Sequence, residues 1–156
     1  KTSSFDILSK VKSLTAERKS LVNELSQLRK DMALAEGAGE SDELESEDLS
    51  GVNFVLKKLS GIPGKELPSL IDGYKQKLSK GVILLISDND GKVAIASGVT
   101  SDLLPSVSAV DVVKAVAAKL GGKGGGGRPD LAQAGGSSME GMASAIDAVK
   151  SLINSR

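Results

Sequence analysis

Residues 121–130, which read GGKGGGGRPD, constrain the fold of this chain more than any other segment. Six of these ten residues are glycine, so the segment brings almost no side chains to a hydrophobic core. Glycine adopts positive φ angles and lets another surface come close to the backbone N–H groups. Lys123 and Arg128 add two cations. We therefore predict an exposed loop that binds an anionic partner such as a phosphate backbone. The alternative is that the glycines are needed where two backbones cross.

The composition excludes most catalytic chemistry. The 156 residues include no cysteine and no histidine, which removes disulfides, the usual zinc sites, Cys nucleophiles and His general bases. We expect no catalytic residue, metal or cofactor in this chain. Asp130 is expected to pair with the loop that it ends. No apolar stretch reaches the roughly 20 residues of a membrane span, so we predict no membrane contact. The chain starts at Lys1, and we interpret it as a piece of a larger cytoplasmic protein.

Charge is distributed unevenly along the chain. Residues 1–50 carry 7 Lys/Arg against 11 Asp/Glu, a net charge of −4, whereas residues 51–156 carry 13 against 9, a net charge of +4. The second part is therefore the one suited to an anionic partner.

Residues 4–35 predict a helix with a narrow apolar seam. The apolar residues follow the 3-4 spacing of coiled-coil packing, with one interruption at Arg18. Such a seam suits one partner helix, which could belong to a second copy of the chain, to a preceding segment or to an antiparallel neighbour. A lone amphipathic helix on a domain surface is the alternative. The seam consists of Ile7, Val11, Leu14, Leu21, Leu25, Leu28 and Met32.

We predict three parts: a helical or coiled-coil subdomain over residues 1–36, an acidic flexible linker over 37–50 and a globular subdomain over 51–156. The linker contains acidic residues and no base, so self-repulsion is expected to keep it extended.

The globular part alternates between strand and helix patterns. The predicted order is β-α-β-β-α-loop-β-α, an α+β fold with a small mixed sheet packed with helices. Residues 82–86 predict a strand covered on both faces, and the turn at 88–91 joins it to a partner strand. Residues 131–134 predict a short edge strand. Capping patterns at Ser108 and Ser137 each predict the start of a helix.

The predicted helices bring further donors toward the glycine loop. Lys114 and Lys119 lie on the helix before it, and the helix start at Ser137 would carry free N–H groups. With only one Tyr and two Phe, the chain is poorly suited to stacking on single-stranded bases. Contact with the shape and backbone of a folded RNA fits better.

The glycine-Arg-Pro-Asp stretch, followed by Ala134-Gly135-Gly136 and a final amphipathic helix, resembles the C-terminal (C-Ala) domain of alanyl-tRNA synthetases over about residues 51–156. The resemblance implies that the globular part contacts the tRNA elbow, where the D and T loops meet. It also implies that the helical part helps to link monomers or holds the domain away from the rest of the protein. The implied contacts are Lys123, Gly124, Gly125, Gly126, Gly127 and Arg128. Lys114, Lys119 and Ser137 are added from the predicted geometry alone.

The resemblance also implies a parent enzyme that ligates alanine to tRNA and uses ATP, Mg and Zn. The residues for these steps are expected outside this chain. Two alternatives stay open. The chain could be a dimerisation or spacer module without direct RNA contact. It could also be a nucleotide-binding accessory domain of a DHH-type phosphoesterase, a class whose glycine-rich loop ends in His where this chain has Arg128.

Overall fold

The centre of the sheet is built from the continuous apolar run at residues 82–86. In the computed structural model, which describes residues 4–34, 44–89 and 91–155, residues 81–87 of this strand are all buried. Both faces of the strand are therefore covered, as predicted. The helices and strands are α1 (Ser4–Leu34), β1 (Leu44–Leu49), β2 (Val52–Ser60), α2 (Leu67–Lys77), β3 (Gly81–Asn89), β4 (Lys92–Val99), α3 (Ala109–Lys119), β5 (Gly125–Arg128), β6 (Leu131–Gly136) and α4 (Met142–Asn154).

The six strands form one mixed sheet in the order β1-β2-β3-β4-β6-β5. Strands β2 and β3 are parallel, with α2 as the crossover between them, and the other neighbouring pairs are antiparallel. Helix α2 packs on one face against Ile83 and Leu85, while α3 and α4 pack on the other against Leu84 and Ile86. Helix α1 contacts α2. The predicted α+β fold is confirmed.

Two local predictions in the globular part are confirmed. Strands β3 and β4 form the predicted hairpin, and the Gly91 amide donates to the Asp88 carboxylate at 3.2 Å within its turn. Asp90 lies outside the described residues. Helix α3 begins after Ser108, whose hydroxyl accepts a hydrogen bond from the Val110 amide at 3.2 Å.

The prediction of a flexible linker is wrong for its second half, because residues 44–49 form β1 and pair with β2. Ser50 and Gly51 have positive φ angles of 56° and 83° and reverse the chain between the two strands. Glu47 forms an ion pair with Lys150 of α4, and Leu49 is buried. The ion pair with Lys150 and the burial of Leu49 thus offset the self-repulsion that the sequence suggested. Residues 37–43 lie outside the described residues, so the division into three parts stays a prediction.

The order of the last two strands also differs from the prediction. The sequence predicts β6 at the edge, but it pairs with β4 on one side and β5 on the other. The edge is β5, formed by the glycines that were predicted to be a loop. Three of the four residues of β5 are glycine, so the strand shows no alternation of apolar and polar side chains. Its pairing depends on backbone hydrogen bonds alone. The sequence pattern therefore could not reveal it.

Candidate nucleic-acid interface

The first two glycines of the run end helix α3. Gly121 has a φ of 68°, the left-handed conformation in which a helix commonly ends on glycine. The Gly122 amide then donates to the Ala117 carbonyl at 2.7 Å. A Cβ on Gly122 would lie 2.0 Å from the Gly135 carbonyl oxygen. These two glycines are required by the fold itself, so the alternative of crossing backbones is correct here.

The glycines of β5 divide between the two faces of the sheet. A Cβ on Gly125 would lie 2.6 Å from the Ala134 Cβ, and one on Gly127 would lie 2.6 Å from the Ala132 Cα. A Cβ on Gly126 would meet no atom within 4 Å, and Gly126 has no positive φ. No packing or backbone constraint among the described residues requires glycine at position 126. A partner that approaches the bare main chain would provide a reason.

The outer side of β5 is open. It is the last strand in the sheet order, so among the described residues no strand pairs with its outer edge. Every second residue of an edge strand points its N–H and C=O groups away from the sheet. Gly126, Gly127 and Arg128 are exposed, as are Lys123 and Gly124 just before the strand. The site thus offers main-chain donors and acceptors with little side-chain obstruction.

The turn between β5 and β6 is held in place from two sides. The Pro129 carbonyl accepts a hydrogen bond from the Ala109 amide of α3 at 2.7 Å. The Asp130 carbonyl accepts one from the Val99 amide of β4 at 3.0 Å. The turn therefore has a defined position relative to the rest of the sheet, and Arg128 starts from a fixed backbone.

Asp130 joins two cations at this turn. Its carboxylate accepts from Arg128 Nε at 3.1 Å and from Lys75 Nζ of α2 at 3.2 Å. Partial burial favours the neutral acid, but the hydrogen bond from Lys75 and the charges of Lys75 and Arg128 outweigh it, so the pKa of Asp130 is lowered. The expected pairing of Asp130 with its own loop is observed. Lys75 was not among the sequence candidates.

The predicted cations lie on different sides of the edge. Arg128 is directly opposite Leu131, which packs in the α2 cluster, so Arg128 faces the α2 side. Lys114 and Lys119 are exposed on α3, which covers the opposite face. Lys123 is exposed in the connection between α3 and β5. The cations therefore do not converge on one face of the sheet: Arg128 lies on the α2 side, and Lys114 and Lys119 lie on the helix that covers the other side.

Ser137 differs from the prediction. Helix α4 begins at Met142 with Gly141 as its N-cap, so Ser137 does not start a helix. Its amide donates to the Leu120 carbonyl at 2.8 Å, and its hydroxyl donates to the Gly121 carbonyl at 3.0 Å. These groups satisfy carbonyls at the end of α3 and supply no free helix-terminal N–H.

The seam of α1 is not buried by the described part of the chain. Its exposed fractions range from 48% at Leu25 to 61% at Leu28, and all seven seam residues lie within this range. The pattern predicted from the sequence is therefore present as an apolar stripe on a helix surface. The seven residues are Ile7, Val11, Leu14, Leu21, Leu25, Leu28 and Met32.

Residues 4–34, 44–89 and 91–155 contain neither a side-chain cluster suited to a metal ion nor a helix that could span a membrane. No three His, Cys, Asp or Glu side chains in these ranges come together in a way that could hold a metal ion. None of the helices there combines the length and apolar composition needed to cross a bilayer.

Comparison with known proteins assigns the globular part to a family. Residues 51–155 match the family described as the DHHA1 domain. Alanine–tRNA ligase of Dinoroseobacter shibae is 50% identical over 153 residues, which cover 98% of this chain and 17% of that protein. Alanine–tRNA ligase of Ruegeria pomeroyi is 49% identical over 148 residues, again covering 17% of its length. The chain thus spans about a sixth of these curated relatives.

Solved structures support the same relationship. The C-Ala domain of alanyl-tRNA synthetase from Aquifex aeolicus superimposes with a TM-score of 0.66 at 28% identity, and the match covers 70% of this chain and 98% of that domain. A DHH-domain protein described as a member of the s1p family of ribosomal proteins matches with a TM-score of 0.54 at 16% identity, over 94% of this chain and 34% of that one. The second likeness concerns the fold alone. The resemblance to C-Ala domains is confirmed.

Proposed function

We propose that this chain, which belongs to the DHHA1 domain family, is a tRNA-binding accessory domain that contacts the tRNA elbow through the β5 edge. The observation that carries the proposal is an edge strand of glycines that is open on its outer side and flanked by cations. Main-chain donors can approach phosphates and riboses closely where no side chain intervenes. Shape and backbone contacts of this kind suit a folded RNA.

The proposed contacts are Lys123, the glycines at 124–127 and Arg128. Lys114 and Lys119 are exposed and form no ion pair with any described residue, so they can extend the contact on the α3 side. We leave out Ser137, because its amide and hydroxyl already bond to the end of α3. The elbow is a feature common to tRNAs, so we expect little preference among them.

The test is binding of the 156-residue chain to a transcribed tRNA, measured by fluorescence anisotropy over a range of salt concentrations. Arg128→Ala and Lys123→Ala should each weaken binding by roughly three- to tenfold and reduce the salt slope by up to about one unit. Lys92→Ala is the matched control for Arg128→Ala, since this exposed lysine lies at the end of β4 opposite to Gly98, which pairs with Leu131 beside Arg128. Unchanged binding by the Arg128/Lys123 double variant, with an intact circular dichroism spectrum, would refute the proposal.

The elbow itself is tested by the RNA. Footprinting should show protection in the D and T loops. A minihelix that contains the acceptor and T stems but no D arm should bind more weakly than tRNA. Equal affinity for both RNAs would contradict elbow recognition while leaving RNA binding intact.

We further propose that the chain acts within an alanine–tRNA ligase in the cytoplasm. The ligase would use ATP and Mg²⁺, and Zn²⁺ would serve its editing step. The described residues offer no site that fits a metal, so these groups would be held by other parts of that protein.

Dimerisation through α1 is a second candidate function, favoured by the exposed apolar stripe along the helix. In that case Leu21→Glu should lower the sedimentation mass of the chain, because it places a charge in the middle of the stripe. A wild-type chain that sediments as a monomer at high concentration would exclude this role.

A nucleotide-binding role as in DHH phosphoesterases is distinguished by calorimetry, since it predicts heat of binding from a small nucleotide alone.

A further inference from the structure

We propose that Lys75 is a positioning residue that compensates the charge of Asp130 and thereby leaves Arg128 available to an anionic ligand. This inference rests on the proposed function, because it concerns how Arg128 meets RNA phosphate. Lys75 lies on α2, which is distant in sequence from the glycine segment.

Lys75 is placed by close packing of α2 on the sheet. A Cβ at Gly98 of β4 would lie 2.2 Å from Ile71 Cγ2 and 3.4 Å from Lys75 Cδ, so glycine at this position lets α2 approach. Gly98 is directly opposite Leu131 in the register of β4 and β6. The lysine stem therefore runs along the sheet toward the turn that ends β5.

Two contacts hold the ammonium group of Lys75. Its Nζ donates to the Asp130 carboxylate at 3.2 Å and to the Asp130 carbonyl at 3.1 Å. The exposed fraction of its side chain is 20%, against 72% for Arg128. Lys75 is thus mostly covered and committed to Asp130, whereas Arg128 extends into solvent.

The charges explain why this arrangement matters for binding. Arg128 and Asp130 alone form a neutral pair, and a neutral pair attracts phosphate less strongly than a net positive group does. Lys75 adds a positive charge on the covered side of the carboxylate, so the three side chains together carry a net charge of +1. Arg128 can then be shared between Asp130, which sets its direction, and a phosphate, which accepts from its remaining donors.

Removal of Lys75 should leave the turn itself in place. The Asp130 carbonyl also accepts from the Val99 amide, and the Pro129 carbonyl accepts from the Ala109 amide. The substitution therefore changes mainly the electrostatics of Arg128. A change in tRNA affinity then reports the lost charge and not a displaced turn.

The experiment measures the affinity of the 156-residue chain for a transcribed tRNA at several salt concentrations. Lys75→Met should weaken binding roughly three- to tenfold and lower the salt slope by up to about one unit, the effect also expected of Arg128→Ala. Lys92→Met removes the same charge from the far end of β4 and should change affinity less than about twofold. If Lys75→Met unfolds the chain, Lys75→Gln replaces it, because Gln donates a hydrogen bond without carrying charge.

The decisive variant adds Asp130→Asn to Lys75→Met. The double substitution removes both charges of the Lys75–Asp130 pair and restores the net charge of +1 around Arg128. We expect the affinity to return to within about twofold of wild type. A purely structural role for Lys75 predicts instead that the second substitution leaves the tRNA affinity unchanged or lowers it further. That result would overturn the inference.

The outcomes for Arg128 separate this inference from the function on which it rests. If Arg128→Ala leaves tRNA affinity unchanged, the proposed interface and the role of Lys75 both fail. If Arg128→Ala weakens binding but Lys75→Met does not, the interface stands and only the role of Lys75 is refuted.

Discussion

Strands β1 and β5 form the two edges of the same sheet, yet they carry opposite chemistry. Strand β1 has the sequence LESEDL, and its Glu47 pairs with Lys150 of α4 while Asp48 accepts from the Gly51 amide at 2.9 Å. Strand β5 has the sequence GGGR, with bare main chain and cations beside it. Acidic side chains repel both a neighbouring strand and RNA. The comparison indicates that the chemistry of an edge, more than its exposure, decides which one can meet an anionic partner.

The glycines of residues 121–127 themselves differ, and Gly122→Ala should have the largest effect on folding. Its Cβ would lie 2.0 Å from the Gly135 carbonyl oxygen and 3.1 Å from the Ala117 Cβ. We expect a loss of about 3 kcal/mol in the free energy of unfolding, measured by urea denaturation. Gly126→Ala is the matched control and should change stability by less than about 0.5 kcal/mol. Equal stability of the two variants would mean that Gly122 is not in close contact.

Gly126→Glu gives β5 the acidic character of β1 and should have the largest effect on binding. The side chain has open space, so stability should be kept. We expect tRNA affinity to fall roughly tenfold or more, because the carboxylate repels phosphate and covers the main chain. Gly126→Val separates charge repulsion from steric covering, since the valine side chain covers the main chain of β5 but carries no charge. Wild-type affinity in both variants would show that RNA does not contact β5.

The substitution Asp130→Asn, in the turn that ends β5, should have a smaller and pH-dependent effect on the stability of the fold. The pKa of Asp130 is lowered in the folded state, so its ion pairs stabilise the fold fully above the ordinary aspartate pKa of about 3.9. This contribution is lost as the pH falls through the lowered pKa. Asp130→Asn should therefore be less stable than wild type at pH 7, by less than about 1 kcal/mol.

Thermal unfolding of both proteins at several pH values measures this difference. The difference in stability between the two proteins should become smaller as the pH falls below about 4, and it should vanish when Asp130 of the wild type is protonated. A gap that persists unchanged in strong acid would assign the effect of the substitution to lost hydrogen bonding and not to charge.

Glu47→Gln on β1 should have the smallest effect. The Glu47 and Lys150 side chains are 50% and 33% exposed, so their ion pair contributes little. We expect a change of less than about 0.5 kcal/mol in stability and less than about twofold in tRNA affinity. A large gain in affinity would indicate that the β1 edge repels bound RNA at close range, and the two edges would then share one interface.

The sequence predicted elements that depend on side-chain periodicity and on local capping. The apolar run of β3, the β3–β4 hairpin and the start of α3 at Ser108 all carry such signals. The same reasoning gave the wrong start for α4, because Ser137 matches a capping pattern but its hydroxyl bonds to the Gly121 carbonyl. A local motif predicts a hydrogen bond only when no tertiary partner competes for the same group.

The sequence by itself determined that the chain has a glycine-rich, cationic segment, an amphipathic N-terminal helix and a strand buried on both faces, because these properties belong to composition and local spacing. Only the tertiary structure decided that the glycines form an edge strand, that Arg128 and Lys114 lie on different sides of it and that Lys75 reaches Asp130. Lys75 and Asp130 are 55 positions apart in the sequence. Their contact results from the packing of α2 against Gly98 and from the register of β6, and neither is encoded in a local pattern.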